Sequence, residues 1–179
     1  MIAIALAAAA ATATPLRLPA EPPVLMDYLA ADGARVWIPA GTLAIDVKSR
    51  KVISTWDSGC GKDGPRGLAL DAGRGVLFIA CSSAGVMAVD AKTGARRARL
   101  EAGEGVDNID YLPSKRLLYA SAGRSEKVTV AYLEDDGSLK LLVTAQVGKG
   151  SRTVVATEDG TAYAADSGGG ELWVLKPVQ

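Results

Sequence analysis

The sequence predicts an all-β chain, a β-propeller of about four four-stranded antiparallel blades, and three observations predict it. A strand with an aromatic at its second apolar position recurs four times: Val36-Trp37-Ile38, Leu77-Phe78-Ile79, Leu118-Tyr119-Ala120 and Ala162-Tyr163-Ala164. The aromatics stand at 37, 78, 119 and 163, so the steps are 41, 41 and 44 residues, the period of a propeller blade. Helix signals are missing, because no long segment beyond the first dozen residues carries a 3.6-residue apolar period.

Within each unit the neighbouring strands fall in step. An innermost strand precedes the aromatic one, at Tyr28 to Asp32, Gly67 to Asp71, Asn108 to Leu112 and Thr153 to Thr157. A third strand follows, at Leu43 to Val47, Val86 to Ala91, Val128 to Leu133 and Leu172 to Lys176, and a more polar fourth strand closes the unit. Turn chemistry separates them: Asp32-Gly33, Asp71-Ala72-Gly73, Lys92-Thr93-Gly94, Asp136-Gly137 and Asp159-Gly160 supply residues that tolerate left-handed backbone or bond to it. The recurring aromatic is expected to pack one blade on the next.

Ile2 to Ala11 is an apolar run of small residues followed by the A-x-A pattern Ala11-Thr12-Ala13. Residues 1–13 therefore read as an export signal, too short to span a bilayer, and the mature chain is expected in the periplasm or outside the cell. Residues 14–24 form a proline-rich lead, and 25–179 the repeat domain. The fourth unit stops short of an outer strand, and Leu16 to Leu18 can serve as its closing edge strand, where prolines are tolerated. Two arrangements bury the end faces: a small closed ring fastened by that strand, or a half-ring that pairs with a second copy as a homodimer.

The segments Pro65-Arg66-Gly67-Leu68-Ala69-Leu70-Asp71, Gly105-Val106-Asp107 and Gly150-Ser151-Arg152-Thr153 resemble the YVTN-type (YncE-like) periplasmic propellers. Trp37-Ile38-Pro39-Ala40 and Phe78-Ile79-Ala80-Cys81 stand as degenerate forms of that family's strand tetrad. The resemblance covers about residues 25 to 177 and implies the fold. It implies no catalytic motif, and the family is mostly seven-bladed.

Composition narrows the chemistry. Twenty Lys and Arg balance twenty Asp and Glu, which argues against nucleic acid or anionic membrane as the main partner. The cluster Arg96, Arg97 and Arg99 reads as a solvated strand face. The chain has no histidine, so Ser-His-Asp and Cys-His catalysis and His-ligated zinc or haem are excluded within it. Asp32, Asp46, Asp71 and Asp90 sit at strand ends beside turns, where carboxylates bond backbone amides. No D-x-D-x-D loop and no cofactor ligand set is visible, and Gly168-Gly169-Gly170 precedes a strand, not a helix.

Two constellations remain. Cys60 and Cys81 are expected to be brought together by a hairpin that sets Cys81 opposite Arg66, forming a structural disulfide; two free thiols are the alternative. Asp27, Arg66, Asp107 and Arg152 each stand just before an innermost strand, hence at one mouth of the central channel. Such a ring is either a set of ion pairs locking blades together or a binding site in which guanidinium groups clamp a carboxylate or phosphate. The expected function is a non-enzymatic binding or scaffold module of the cell envelope, with a small anion or a protein as partner. A metal-dependent hydrolase of the propeller lactonase kind is the alternative, weakened because only Asn108 and Gln146, besides Gln179, supply side-chain amides.

Overall fold

The computed structural model describes residues 29–39, 42–83 and 85–177; the expected export signal, the lead segment and Asp27 lie outside the described residues. Four antiparallel sheets follow one another along the chain. Blade 1 holds β1 (Ala30–Ala31), β2 (Arg35–Ile38), β3 (Leu43–Asp46) and β4 (Lys51–Thr55). Blade 2 holds β5 (Pro65–Asp71), β6 (Val76–Cys81), β7 (Gly85–Asp90) and β8 (Arg96–Leu100). Blade 3 holds β9 (Val106–Leu112), β10 (Leu117–Ala122), β11 (Lys127–Leu133) and β12 (Leu139–Gln146). Blade 4 has three described strands, β13 (Ser151–Ala156), β14 (Ala162–Asp166) and β15 (Glu171–Leu175), in keeping with a fourth unit that stops short of its own outer strand; the Leu16 to Leu18 segment expected to close it lies outside the described residues. The innermost strands lie side by side in the order β1, β5, β9, β13.

The second strands β6 and β10, VLFIAC and LLYASA, are buried along their whole length. They read as continuous apolar runs because both of their faces meet another blade, whereas outer β8 carries exposed Arg96, Arg97 and Arg99. Three of the four recurring aromatics point at the following blade. Trp37 clusters with Leu77 and Ile79 of blade 2. Phe78 stacks on Tyr111 of blade 3, ring centroids 4.7 Å apart. Tyr119 packs with Val154, Ala162 and Ala164 of blade 4 and donates its hydroxyl to the Gly160 carbonyl at 3.1 Å.

The strand-end carboxylates hold turns. Asp32 accepts from the Ala34 and Arg35 amides, Asp46 from Ser49, and Asp90 from Lys92 and Thr93. Asp71 does more than this. It is buried, accepts the Arg74 amide at 3.0 Å and the Arg74 guanidinium at 3.2 Å, and receives the Tyr111 hydroxyl across the blade interface at 2.6 Å. Burial works to raise its pKa, but these donors, Tyr111 foremost, outweigh it and hold the carboxyl below its ordinary 3.8. Burial, reinforced by the bond to Asp71, pushes the Tyr111 phenol well above its usual range.

A folded-state pKa below the unfolded value means stability that is complete above the unfolded pKa and lost as pH falls through the folded one. Tyr111→Phe is therefore expected to cost about 1.5–3 kcal/mol at pH 7, the range for a hydrogen bond to a charged group. That difference from the parent protein should shrink below about pH 4. Urea unfolding of both proteins between pH 2.5 and 7 measures it; a pH-independent difference would mean that Asp71 is not the group Tyr111 holds.

Candidate functional site

The disulfide Cys60–Cys81 joins the loop after blade 1 to β6, with Cα atoms 5.0 Å apart. Cys81 pairs with Pro65 rather than with Arg66. The offset arises because two residues of β5, Arg66 and Gly67, stand opposite Ala80 alone, so the ladder bulges there.

The same irregularity recurs in the next two blades. In blade 3, Val106 pairs with Ala122 and Asn108 with Ser121, which leaves Asp107 as the extra residue. In blade 4, Ser151 pairs with Asp166 and Thr153 with Ala165, which leaves Arg152 extra. A bulged residue is released from the ladder and its side chain is re-aimed. Each bulge follows a glycine two residues back, in Gly64-Pro65-Arg66, Gly105-Val106-Asp107 and Gly150-Ser151-Arg152. These glycines have φ of 66°, 76° and 95°, a backbone that side-chain-bearing residues adopt only at a cost. Leu25 stands in that place before Asp27.

Arg66, Asp107 and Arg152 line one cleft of about 480 Å³ at the N-terminal ends of the innermost strands β5, β9 and β13. Arg152 Nε and a terminal guanidinium nitrogen donate to Asp107 Oδ2 at 3.1 and 2.9 Å, an ion pair between blades 4 and 3. Asp63, Arg124 and Lys149 line the cleft as well, so its described lining carries four cations against two carboxylates. Arg124 donates to the Ser82 carbonyl at 3.1 Å and the Ser82 hydroxyl at 2.7 Å, bridging blades 3 and 2.

The rim is tied by main chain. The Gly105 amide donates to the Ser82 carbonyl, Gly123 to Gly105, and Gly150 to Gly123. Below it, Asn108 Oδ1 accepts the Val154 amide and Asp110 Oδ2 the Ala156 amide, at 2.8 and 2.7 Å. Gly67 lets β5 approach β9, because a Cβ there would lie 2.9 Å from the Asp107 carbonyl oxygen. The result is a rigid, mostly cationic concavity. It suits a small anion, since planar guanidinium groups match carboxylate and phosphate oxygens.

Arg124 and Lys149 escape a strand-by-strand reading because they lie between strands, Arg124 in the short 3-10 helix Gly123–Ser125 and Lys149 in the turn before β13, yet each follows a glycine of the rim or its neighbour: Gly123-Arg124 and Gly148-Lys149-Gly150. The two side-chain amides do not converge. Asn108 is on innermost β9, while Gln146 is on outer β12. Among the described residues no three Cys, Asp or Glu side chains gather as a metal-binding group.

Neither a protein-family model nor a curated protein matches the chain. Solved structures do. The computationally designed Ika4 protein superposes with a TM-score of 0.73 at 13% identity, covering 93% of this chain and 99% of that one. A chain of the Mitotic Checkpoint Complex superposes with 0.72 at 16% identity, covering 86% of this chain and 49% of that one. A functionally unknown protein from Desulfotomaculum acetoxidans gives 0.66 at 19% identity, covering 84% and 55%. The chain is thus a β-propeller of four blades, and it spans about half the length of the latter two chains. Identities this low show the fold alone.

Proposed function

We propose that the protein is a non-enzymatic binding module of the cell envelope, of the YVTN propeller type, that holds a small carboxylate- or phosphate-bearing ligand at the channel mouth. The observation that carries this reading is the triple glycine-plus-bulge device, which releases Arg66, Asp107 and Arg152 from their ladders into one cleft with Arg124 and Lys149. The envelope location draws support from the buried Cys60–Cys81 bridge, which persists in oxidising compartments, and from the apolar N-terminal run.

Calorimetric titration with inorganic phosphate and with a short dicarboxylate tests the reading. One of them should saturate a single site, and Arg66→Ala should weaken it by about 10–100-fold, the worth of a charged hydrogen bond. Asp107→Asn removes the carboxylate that engages Arg152 and should tighten binding. Neither anion binding, together with a lower melting temperature in Arg66→Ala, would favour a purely structural ring of ion pairs. Turnover of a lactone that disappears with a chelator would replace the binding module by the hydrolase.

A further inference from the structure

The cleft that holds Arg66, Asp107 and Arg152 is lined unlike most small-molecule sites, whose walls are largely apolar and aromatic. Among its described lining residues every side chain is charged or carries a hydroxyl, and the rest are Gly105, Gly123 and Gly150. An aryl ring or alkyl chain would meet no apolar surface on these walls and would gain nothing by leaving water. Yet the cleft, at about 480 Å³, falls within the roughly 300–1,000 Å³ of sites that take whole small molecules. A bare phosphate fills only a small part of it. The occupant that matches both facts is polar along its whole length.

The lining also carries groups that an anion alone leaves unused. Asp107 accepts both Arg152 bonds on Oδ2, while its Oδ1 accepts none from the described residues and the side chain stays 18% exposed. Asp63, exposed at the end of the short 3-10 helix Gly61–Asp63, is a second carboxylate on the wall. An ionised carboxylate only accepts hydrogen bonds, so each repels an anion and is matched by a hydroxyl. Ser82 is 8% exposed, and its Oγ accepts from Arg124 at 2.7 Å. That bond uses a lone pair of the hydroxyl and leaves its proton, which donates to no described group, for an oxygen of the ligand.

We infer that the ligand is a polyhydroxylated anion: a small polyol carrying one phosphate or carboxylate, its anionic group on the cations of the wall and its hydroxyls on Asp63, Asp107 and Ser82. The inference rests on the proposed reading of the cleft as an anion site and adds what occupies the remainder of it. A hydroxyl both donates and accepts, so one polyol can satisfy the carboxylates and the Ser82 proton together.

Calorimetric titration of the full chain with two matched pairs tests this, inorganic phosphate against glucose 6-phosphate and acetate against gluconate. In at least one pair the hydroxylated member should bind about 10–100-fold tighter, the worth of a hydrogen bond to a charged group, and that pair names the anionic group. Phenyl phosphate, which adds bulk without hydroxyls, should bind no tighter than inorganic phosphate. Asp63→Asn and Asp107→Asn should each lower the ratio within the pair by about 3–10-fold, as a charged acceptor becomes a neutral one. Arg66→Ala should weaken both members alike and keep the ratio. Equal affinity within both pairs, with binding intact, overturns the inference while the anion site stands; no binding by any probe overturns both. A hydroxyl gain that neither Asp→Asn variant lowers overturns the inference too, as does tighter binding of phenyl phosphate.

Discussion

Truncation of Phe78 to alanine is expected to lower stability by about 3–5 kcal/mol, the range for removing a buried aromatic and leaving its cavity. Phe78 has no exposed surface, and its ring is clasped between blade 2 and Tyr111 of blade 3. The cavity cannot refill easily, since the residues around it lie in two sheets whose main chains are tied at the channel rim. Phe78→Leu keeps most of the apolar volume and should cost less than about 1.5 kcal/mol. Val174→Ala, at a mostly solvated position of β15, is the control and should stay within about 0.5 kcal/mol. Denaturant unfolding gives all three values. A Phe78→Ala loss below about 1 kcal/mol would mean that the blade 2–blade 3 face is not the core of this protein.

Loss of the Cys60–Cys81 bridge should cost nearly as much. The bridge spans a sequence separation of 21, for which the chain-entropy model gives about 3 kcal/mol. At this chain length that corresponds to a fall in melting temperature of roughly 6–12 °C. Both cysteines are buried in the cluster that joins blades 1 and 2, so their replacement by alanine also thins the contact. Thermal melts of Cys60→Ala/Cys81→Ala beside the parent protein, with and without reductant, measure the effect. Reductant should lower the parent's midpoint towards that of the double variant and leave the variant unmoved. The parent protein taken from an oxidising compartment should titrate no thiol when denatured, and two thiols there would contradict the bridge.

Much of the fold was legible because a blade imposes a strong local pattern. A strand packed on both faces must be apolar throughout, and a strand-end carboxylate before a turn announces where it stops. Those two demands placed β6, β10 and β14 within a residue or two of their observed bounds, through the steps from Trp37 to Phe78 to Tyr119 to Tyr163. Pairing register left a fainter trace. The glycines at 64, 105 and 150 were visible in the sequence, but a bulge is a mismatch of one residue between two strands. It shows only when the partner strand is laid alongside, as with Pro65 against Cys81.

What the sequence determined by itself is the architecture: four antiparallel units, their turns, the aromatic that fills each gap, and two cysteines near enough to consider as a pair. The tertiary structure decided what those units present to their surroundings. Arg124 and Lys149 join the cleft because loops of neighbouring blades meet at the channel mouth, a contact between residues far apart in the chain and without a shared period. The exposure of Val155, Leu172 and Val174 on blade 4 was likewise undecidable from the residues themselves, since they have the composition of a buried face. Burial depends on whether another surface arrives, and that is a property of the assembled blades, not of any strand.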